Sequence, residues 1–157
     1  MDEAPPNLIV IEVPLTPPSV NHYKKPIVLK TSNGLVRSYA LTPEAIAFRE
    51  AVAIFARGRS LSPATDYARS KVRYSVACTV FLGEKQRGDG DNFGKCVLDS
   101  LQHAGVIHSD ARVRTWHVEV DDEDRKNPRT LICATTTERK KTLAEYLRDK
   151  MRGAHGS

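Results

Sequence analysis

The chain has 157 residues and a formal net charge of +5, a length that suits one domain and leaves two cramped. With 40% hydrophobic and 27% charged residues it can bury a core, which excludes global disorder, and no apolar run approaches the roughly 20 residues that a membrane helix needs. The acidic, proline-rich start Met1-Asp2-Glu3-Ala4-Pro5-Pro6 lacks the pattern of a signal peptide, and Cys78, Cys96 and Cys133, far apart and without a Cys-x-x-Cys pair, argue against a disulfide framework or zinc knuckle and for a reducing cytoplasm.

The β-branched, apolar run 7–13 predicts a buried strand, stopped by Pro14, Pro17 and Pro18. A polar, basic loop leads to residues 27–41, which read as a loose hairpin around the turn dipeptide Asn33-Gly34. Thr42-Pro43-Glu44 supplies a cap, a first-position proline and a first-turn acid, so a helix starts there. Ala45, Phe48, Val52 and Phe55 recur at helical spacing until Gly58 ends it, and residues 59–70 read as a polar loop. Over 71–83, Val72, Tyr74, Val76, Cys78, Val80 and Leu82 alternate onto one face of a long strand. A basic, glycine-containing link, Gly83 to Gly90, leads to a helix over 92–104 with the stripe Phe93, Val97, Leu101 and Ala104, and Gly105 as its stop. Strands over 112–120 and 130–137 flank the densely charged loop Asp121 to Arg129. A basic amphipathic helix over 138–152 carries Leu143, Tyr146, Leu147 and Met151 on one side, suited to a core or dimer contact, and 153–157 read as a frayed end. The order β, α, β, α, β, β, α predicts one α/β domain of the α+β kind over residues 1–157, with its core over about 7–137. A mixed sheet packs with helices, and crossovers through the two middle helices make some strand pairs parallel.

Charge is unevenly placed. Residues 21–88 carry 12 basic and 4 acidic groups, residues 89–124 carry 3 and 9, and residues 125–157 carry 9 and 3. A basic surface suits a polyanion, since neutralising phosphates drives association. The acidic segment inside it would repel that polyanion unless a divalent metal bridges them. Solvated charged faces are the bland alternative.

The stretch Arg87-Gly88-Asp89-Gly90-Asp91-Asn92-Phe93-Gly94-Lys95-Cys96-Val97-Leu98-Asp99 carries the chemistry. In an extended segment, Asp89 and Asp91 point to one side and converge on a cation such as Mg²⁺. Asp91 or Asn92 can equally cap the helix, a task that does not need Asp89. Lys95 and Asp99 follow at one-turn intervals on the same helix face. Spacing leaves two readings open: a surface ion-pair ladder, or a lysine held beside a metal site where it neutralises phosphate or positions water. Asp110 becomes a third carboxylate if the chain runs back to the helix start, which spacing cannot show. An EF-hand fails because Phe93 and Ser100 stand where ligands are required, and no phosphate-binding Gly-rich loop or nucleophile elbow is present.

The string Asp89-Gly-Asp91-Asn92-x-x-Lys95-x-x-x-Asp99-x-Leu101, followed by Ala104-Gly105-Val106-Ile107 and Asp110, resembles the RusA family of Holliday junction resolvases. Pro17-Pro18-Ser19-x-Asn21-x-Tyr23 looks like that family's proline-rich N-terminal signature, and the resemblance runs from about residue 8 to about 137. It implies a RusA-like fold and a homodimeric, Mg²⁺-dependent endonuclease, with Mn²⁺ as a substitute metal. Such an enzyme cuts four-way DNA junctions by paired symmetrical nicks in recombination and repair, leaving 5′-phosphate and 3′-hydroxyl ends. It implies Asp89, Asp91 and Asp110 as metal-binding catalytic carboxylates and Lys95 as the essential lysine, with Asp99 a frequent acid on the helix. Ser109-Asp110 stands where the family often has Asp-Asp, and the 27–41 segment and C-terminal basic helix are extensions that bear on dimer contacts or substrate range.

Lys24, Lys25, Lys85 and Arg87 flank the acidic segment and are the candidates for gripping backbone phosphates, solvated lysines being the alternative. His22 and Tyr23 suit either stacking on unpaired bases or packing of their loop. Trp116 reads as core or dimer interface, and His103, His108, His117 and His155 show no metal-ligand spacing. The expected partners are branched DNA and a second copy of the chain, with no membrane, and the expected place is the cytoplasm, on nucleoid DNA. The rivals are a nuclease for flaps or forks, a non-catalytic junction-binding module, and a small-molecule phosphohydrolase.

Overall fold

Alternation organises the sheet. The structure, a computed structural model, describes residues 7–137 and 143–154. Four strands pair in the order β1 (Ile9–Val13), β6 (Arg129–Thr136), β4 (Tyr74–Phe81), β5 (Val113–Asp121). On β4, Tyr74, Val76, Cys78 and Val80 are buried in strict alternation, and Leu82 follows just beyond the strand. β6 lies antiparallel to β1 and to β4, whereas β4 and β5 run parallel. The sheet is therefore mixed, as expected for an α+β fold.

Helix α1 (Pro43–Ala56) and helix α3 (Gly94–His103) pack against each other, and α1 also packs on β1. Phe48 and Val52 of α1 meet Val97 and Leu101 of α3 in one core with Ile11, Val13, Tyr74, Val76, Val80 and Ile132 of the sheet. The Thr42 hydroxyl accepts from the Ala45 N–H, Pro43 holds the first helical position and Arg57 ends α1 in the left-handed region at φ 55°. Among the described residues the only parallel pair in the sheet, β4–β5, is bridged by α3, the crossover a parallel pair requires.

Several expectations need correction. The strand expected to be buried is β1; it lies at the sheet edge and only its Ile9, Ile11 and Val13 face is buried, while Val10 and Glu12 point to the other face and are exposed. The polar loop 59–70 ends in a short helix, α2 (Asp66–Lys71), carried by the Thr65 cap on Ala68 N–H rather than by an apolar stripe. The hairpin is longer than 27–41: β2 (Lys24–Thr31) and β3 (Gly34–Leu41) pair over their full length and form a sheet of their own. The crossover through α1 does not give a parallel pair, because β6 inserts between β1 and β4.

Of the predicted C-terminal helix, α4 covers Leu143–Ala154, with Leu147 and Met151 exposed. Residues 138–142, the side chains of Leu143 and Tyr146, and residues 155–157 with His155 lie outside the described residues. So does the acidic start, residues 1–6. Among the described residues no helix is long and apolar enough to cross a membrane.

All three cysteines are free. Burial pushes the Cys78 and Cys96 thiols from an ordinary 9.0 up to about 12. The unfolded chain releases these protons near the ordinary value, so the stability they protect is complete below pH 9 and falls as pH rises from there toward 12. Urea midpoints are expected to drop between pH 8 and pH 10, and a Cys78→Ala/Cys96→Ala variant to flatten that drop. In native protein, Cys78 and Cys96 should resist a thiol reagent that modifies all three once the chain is unfolded.

Candidate active site

The link from Gly83 to Lys95 is shaped by close approaches. A Cβ on Gly88 would lie 2.5 Å from Phe93 Cζ, one on Gly90 3.1 Å from Val118 Cγ1, and one on Gly94 3.0 Å from Trp116 Nε1. Glycine lets this segment press against the buried Phe93 ring and the β5 side chains. Trp116 thus packs at the core margin, as one of its two readings has it.

Asp89 is extended at φ −92°, ψ 154°, but Gly90–Asn92 form a single 3₁₀ turn closed by the Asn92 N–H to Asp89 carbonyl bond at 3.0 Å. The expectation that Asp89 and Asp91 share the face of an extended segment is corrected by this turn. Neither carboxylate takes a hydrogen bond or an ion pair from the described residues. Helix α3 begins without a side-chain cap, so Asp91 and Asn92 do not serve as its N-cap. Its first backbone N–H groups therefore take no side-chain acceptor, and Gly94 and Cys96 in that turn are buried.

Lys95 stands in the first turn of α3. Its Nζ donates to Asp99 Oδ1 at 3.1 Å and lies 3.8 Å from Asp110 Oδ2. The other Asp99 oxygen accepts from the Tyr23 hydroxyl at 2.6 Å. Tyr23 is buried, and burial first, then the Asp99 carboxylate, raise its phenol well above the usual range, so it remains a donor. Lys95 is half exposed, so its ion pairs add little stability, about 0–1 kcal/mol each. Their consequence is orientation: the ammonium is held over the junction of α3 and Asp110.

Asp110 arrives by a directed return of the chain. Gly105 turns at φ 76° and the Val106 N–H bonds the Leu101 carbonyl at 3.0 Å. Val106 and Ile107 are fully buried, and His108 Nδ1 sits 2.7 Å from the Tyr74 hydroxyl. The Gln102 side-chain oxygen accepts the Asp110 N–H at 2.9 Å, and Ser109 caps the turn Asp110–Arg112. The chain thus returns far enough to bring Asp110 to Lys95, held by an apolar anchor and two polar clamps, but Asp89, Asp91 and Asp110 are not gathered into one three-carboxylate cluster.

The basic candidates divide. Lys85 and Arg87 line an open groove with Pro17, Pro18, His22 and Phe93, so the proline-rich signature and the basic link form one wall. Arg87 also lines a second groove with Asp89, Gly90, Asp122 and Arg125. Lys24 and Lys25 are exposed at the start of β2, and Lys24 Nζ lies 5.8 Å from the Tyr23 ring centroid. Nothing among the described contacts brings Lys25 to the grooves. Tyr23 itself is too buried to stack on a base, which leaves the packing reading for it.

Three supports escaped sequence reasoning. Arg125, in the charged loop, donates to the Gly83 and Gln86 carbonyls at 3.0 and 3.1 Å and so pins the basic link. Gln86 accepts from Gly83 N–H and donates to Thr16 Oγ1, each at 2.7 Å. The Tyr23–Asp99 bond joins residues 76 apart. No local signal marks such pairings. The matched spacing of the two motifs was the only pointer.

Among the described residues, no three His, Cys, Asp or Glu side chains are gathered closely enough to hold a metal ion. The donor chemistry nevertheless fits a hard divalent cation: Asp89 and Asp91 offer unpartnered carboxylate oxygens beside an uncapped helix start. Mg²⁺ typically uses one or two carboxylates, retains water and takes its other ligands from substrate phosphate.

A family model described as endodeoxyribonuclease RusA matches residues 14–134, which take in Tyr23, the stretch Asp89 to Asp99, and Asp110. No curated protein matches the chain.

Tyr23→Phe removes the bond to Asp99 and is expected to lower stability by about 1–2 kcal/mol in urea denaturation, the range for a hydrogen bond to a charged group that stays partly solvated. Gly88→Ala forces the buried Phe93 ring to move and is expected to cost about 1–3 kcal/mol in the same assay.

Proposed function

The chain belongs to the RusA endodeoxyribonuclease family, hydrolases of DNA phosphodiester bonds whose family function is resolution of Holliday junctions. From that premise we propose that it is a Mg²⁺-dependent resolvase cutting four-way junctions by paired symmetrical nicks, with Mn²⁺ able to substitute. The single observation that carries the reading is the placement of Lys95 between Asp99 and Asp110, on the helix that follows the turn bearing the unpartnered Asp89 and Asp91.

In this reading Asp89 and Asp91, with Asp110 as the third carboxylate, are the residues that would hold the cation. When bound there, such a cation would supply Lewis acidity to the scissile phosphate and would activate an attacking water. Lys95 faces the developing charge on the phosphoryl oxygens or the leaving oxygen, where a preset ammonium stabilises the transition state more than the ground state. Asp99, gripped by Tyr23, keeps that ammonium in place. Lys85 and Arg87, on the groove walls, and Lys24 and Lys25 take flanking phosphates. A homodimer supplies two such sites about a two-fold axis, matching the symmetry of a four-way junction.

The test is cleavage of a synthetic four-way junction against linear duplex and a flap, with Mg²⁺ or with EDTA. Paired nicks confined to the junction, abolished by EDTA and by Asp91→Asn, are the expected result. Lys95→Ala is expected to slow the cut by about 10²–10³-fold, the usual loss for one transition-state charge donor, with junction affinity little changed. Junction binding without nicks in any metal would sink the catalytic reading.

A further inference from the structure

The β2–β3 hairpin is an arm. Among the described residues it pairs with no other strand, and its root is clamped where Thr42 Oγ1 donates to the His22 carbonyl at 2.7 Å and Thr42 N–H to the Tyr23 carbonyl at 3.1 Å. Tyr23 in turn holds Asp99, so the arm springs from the side of the site. Its register sorts the side chains. Lys24, Pro26, Val28 and Lys30 stand opposite Leu41, Tyr39, Arg37 and Leu35 and share one face. Leu35, Tyr39 and Val28 on that face are 75%, 72% and 63% exposed. The opposite face, with Ile27, Leu29, Val36 and Ser38, is less open. Residues 21–41 contain no Asp or Glu.

A face of large apolar side chains interleaved with Lys24, Lys30 and Arg37, and no acid, suits one class of partner. Pressed against its own copy across a two-fold axis, it would set cations against cations, which disfavours a dimer seam. A nucleic acid offers phosphates for the cations and aromatic faces for the apolar groups. We infer that this face of the arm is a contact surface for branched DNA, with Lys30 and Arg37 on backbone phosphates and Tyr39 with Leu35 against bases unstacked at the branch point. The inference rests on the nuclease reading above and adds to it a surface for discriminating branched from linear DNA.

The test is binding without divalent metal. A synthetic four-way junction and a linear duplex are titrated with wild type, Lys30→Ala/Arg37→Ala, Tyr39→Ser, Tyr39→Phe and, for the opposite face, Leu29→Ser. The double variant should weaken binding to both DNAs and reduce the slope of log affinity against log salt by about 2, one phosphate per cation. Tyr39→Ser should weaken junction binding about tenfold and leave the duplex unaffected, as loss of one stacked base predicts. Tyr39→Phe, which keeps the ring, and Leu29→Ser should bind as wild type. Sedimentation at the same concentrations should be unchanged throughout. Wild-type affinity in both Tyr39→Ser and the double variant would overturn the arm alone. Variants that sediment as smaller species than wild type would make the face an interchain contact instead. Wild type that binds neither DNA would overturn the nuclease reading and the arm together.

Discussion

One carboxylate is shared between two parts of the chain 76 residues apart in sequence. Asp99 takes the Tyr23 hydroxyl on one oxygen and the Lys95 ammonium on the other. The first bond is short and charge-assisted, and it lies against the core, where competition from water is weak. The second reaches the surface, where alone it would be one of many loose ion pairs. Coupling them transfers the rigidity of a buried tyrosine to an exposed lysine. The same bond fixes the root of the hairpin arm, so the arm and the lysine are aligned through a single side chain.

Around that bond, the acidic residues are delivered by backbone constraints rather than by their own interactions. Asp89 and Asp91 have no partners among the described residues, and the turn that carries them is set by three glycines pressed on Phe93, Val118 and Trp116. Asp110 is set by buried Val106 and Ile107 behind it and by Gln102 and Ser109 beside it. Carboxylates that satisfy nothing in the protein remain available to something outside it, at a cost in mutual repulsion that the positive start of α3 and Lys95 partly offset.

Legibility in the sequence followed the range of the physics. The alternation over 71–83 was readable because one face of β4 is buried and the period is two. Helices α1 and α3 were readable from their apolar stripes, Thr42-Pro43 and Gly105. Short α2 was not, since a cap without a stripe resembles any polar loop. The side of Asp91 was misjudged because Gly90 permits a turn as readily as an extended chain. The edge position of β1 depends on where β6 lands, a contact between residues such as Ile9 and Ala134 that no local pattern records. In the candidate site, the positions of the acids and of Lys95 were readable as spacing. What holds them, Tyr23 on Asp99 and Arg125 on the Gly83 and Gln86 carbonyls, is long-range and was not.

The pairing of β1 with β6 has a consequence for how the chain acquires its fold. Val13 meets Thr130 and Ile9 meets Ala134, so the strand made early has no partner until nearly the whole described chain exists. During synthesis, β4, α3 and β5 can associate as a right-handed crossover while β1, which α1 can cover on its apolar face, waits with both hydrogen-bonding edges open. Closure of a loop this long slows folding more than it lowers final stability. The interval before β6 emerges is therefore when the nascent chain most needs protection from self-association.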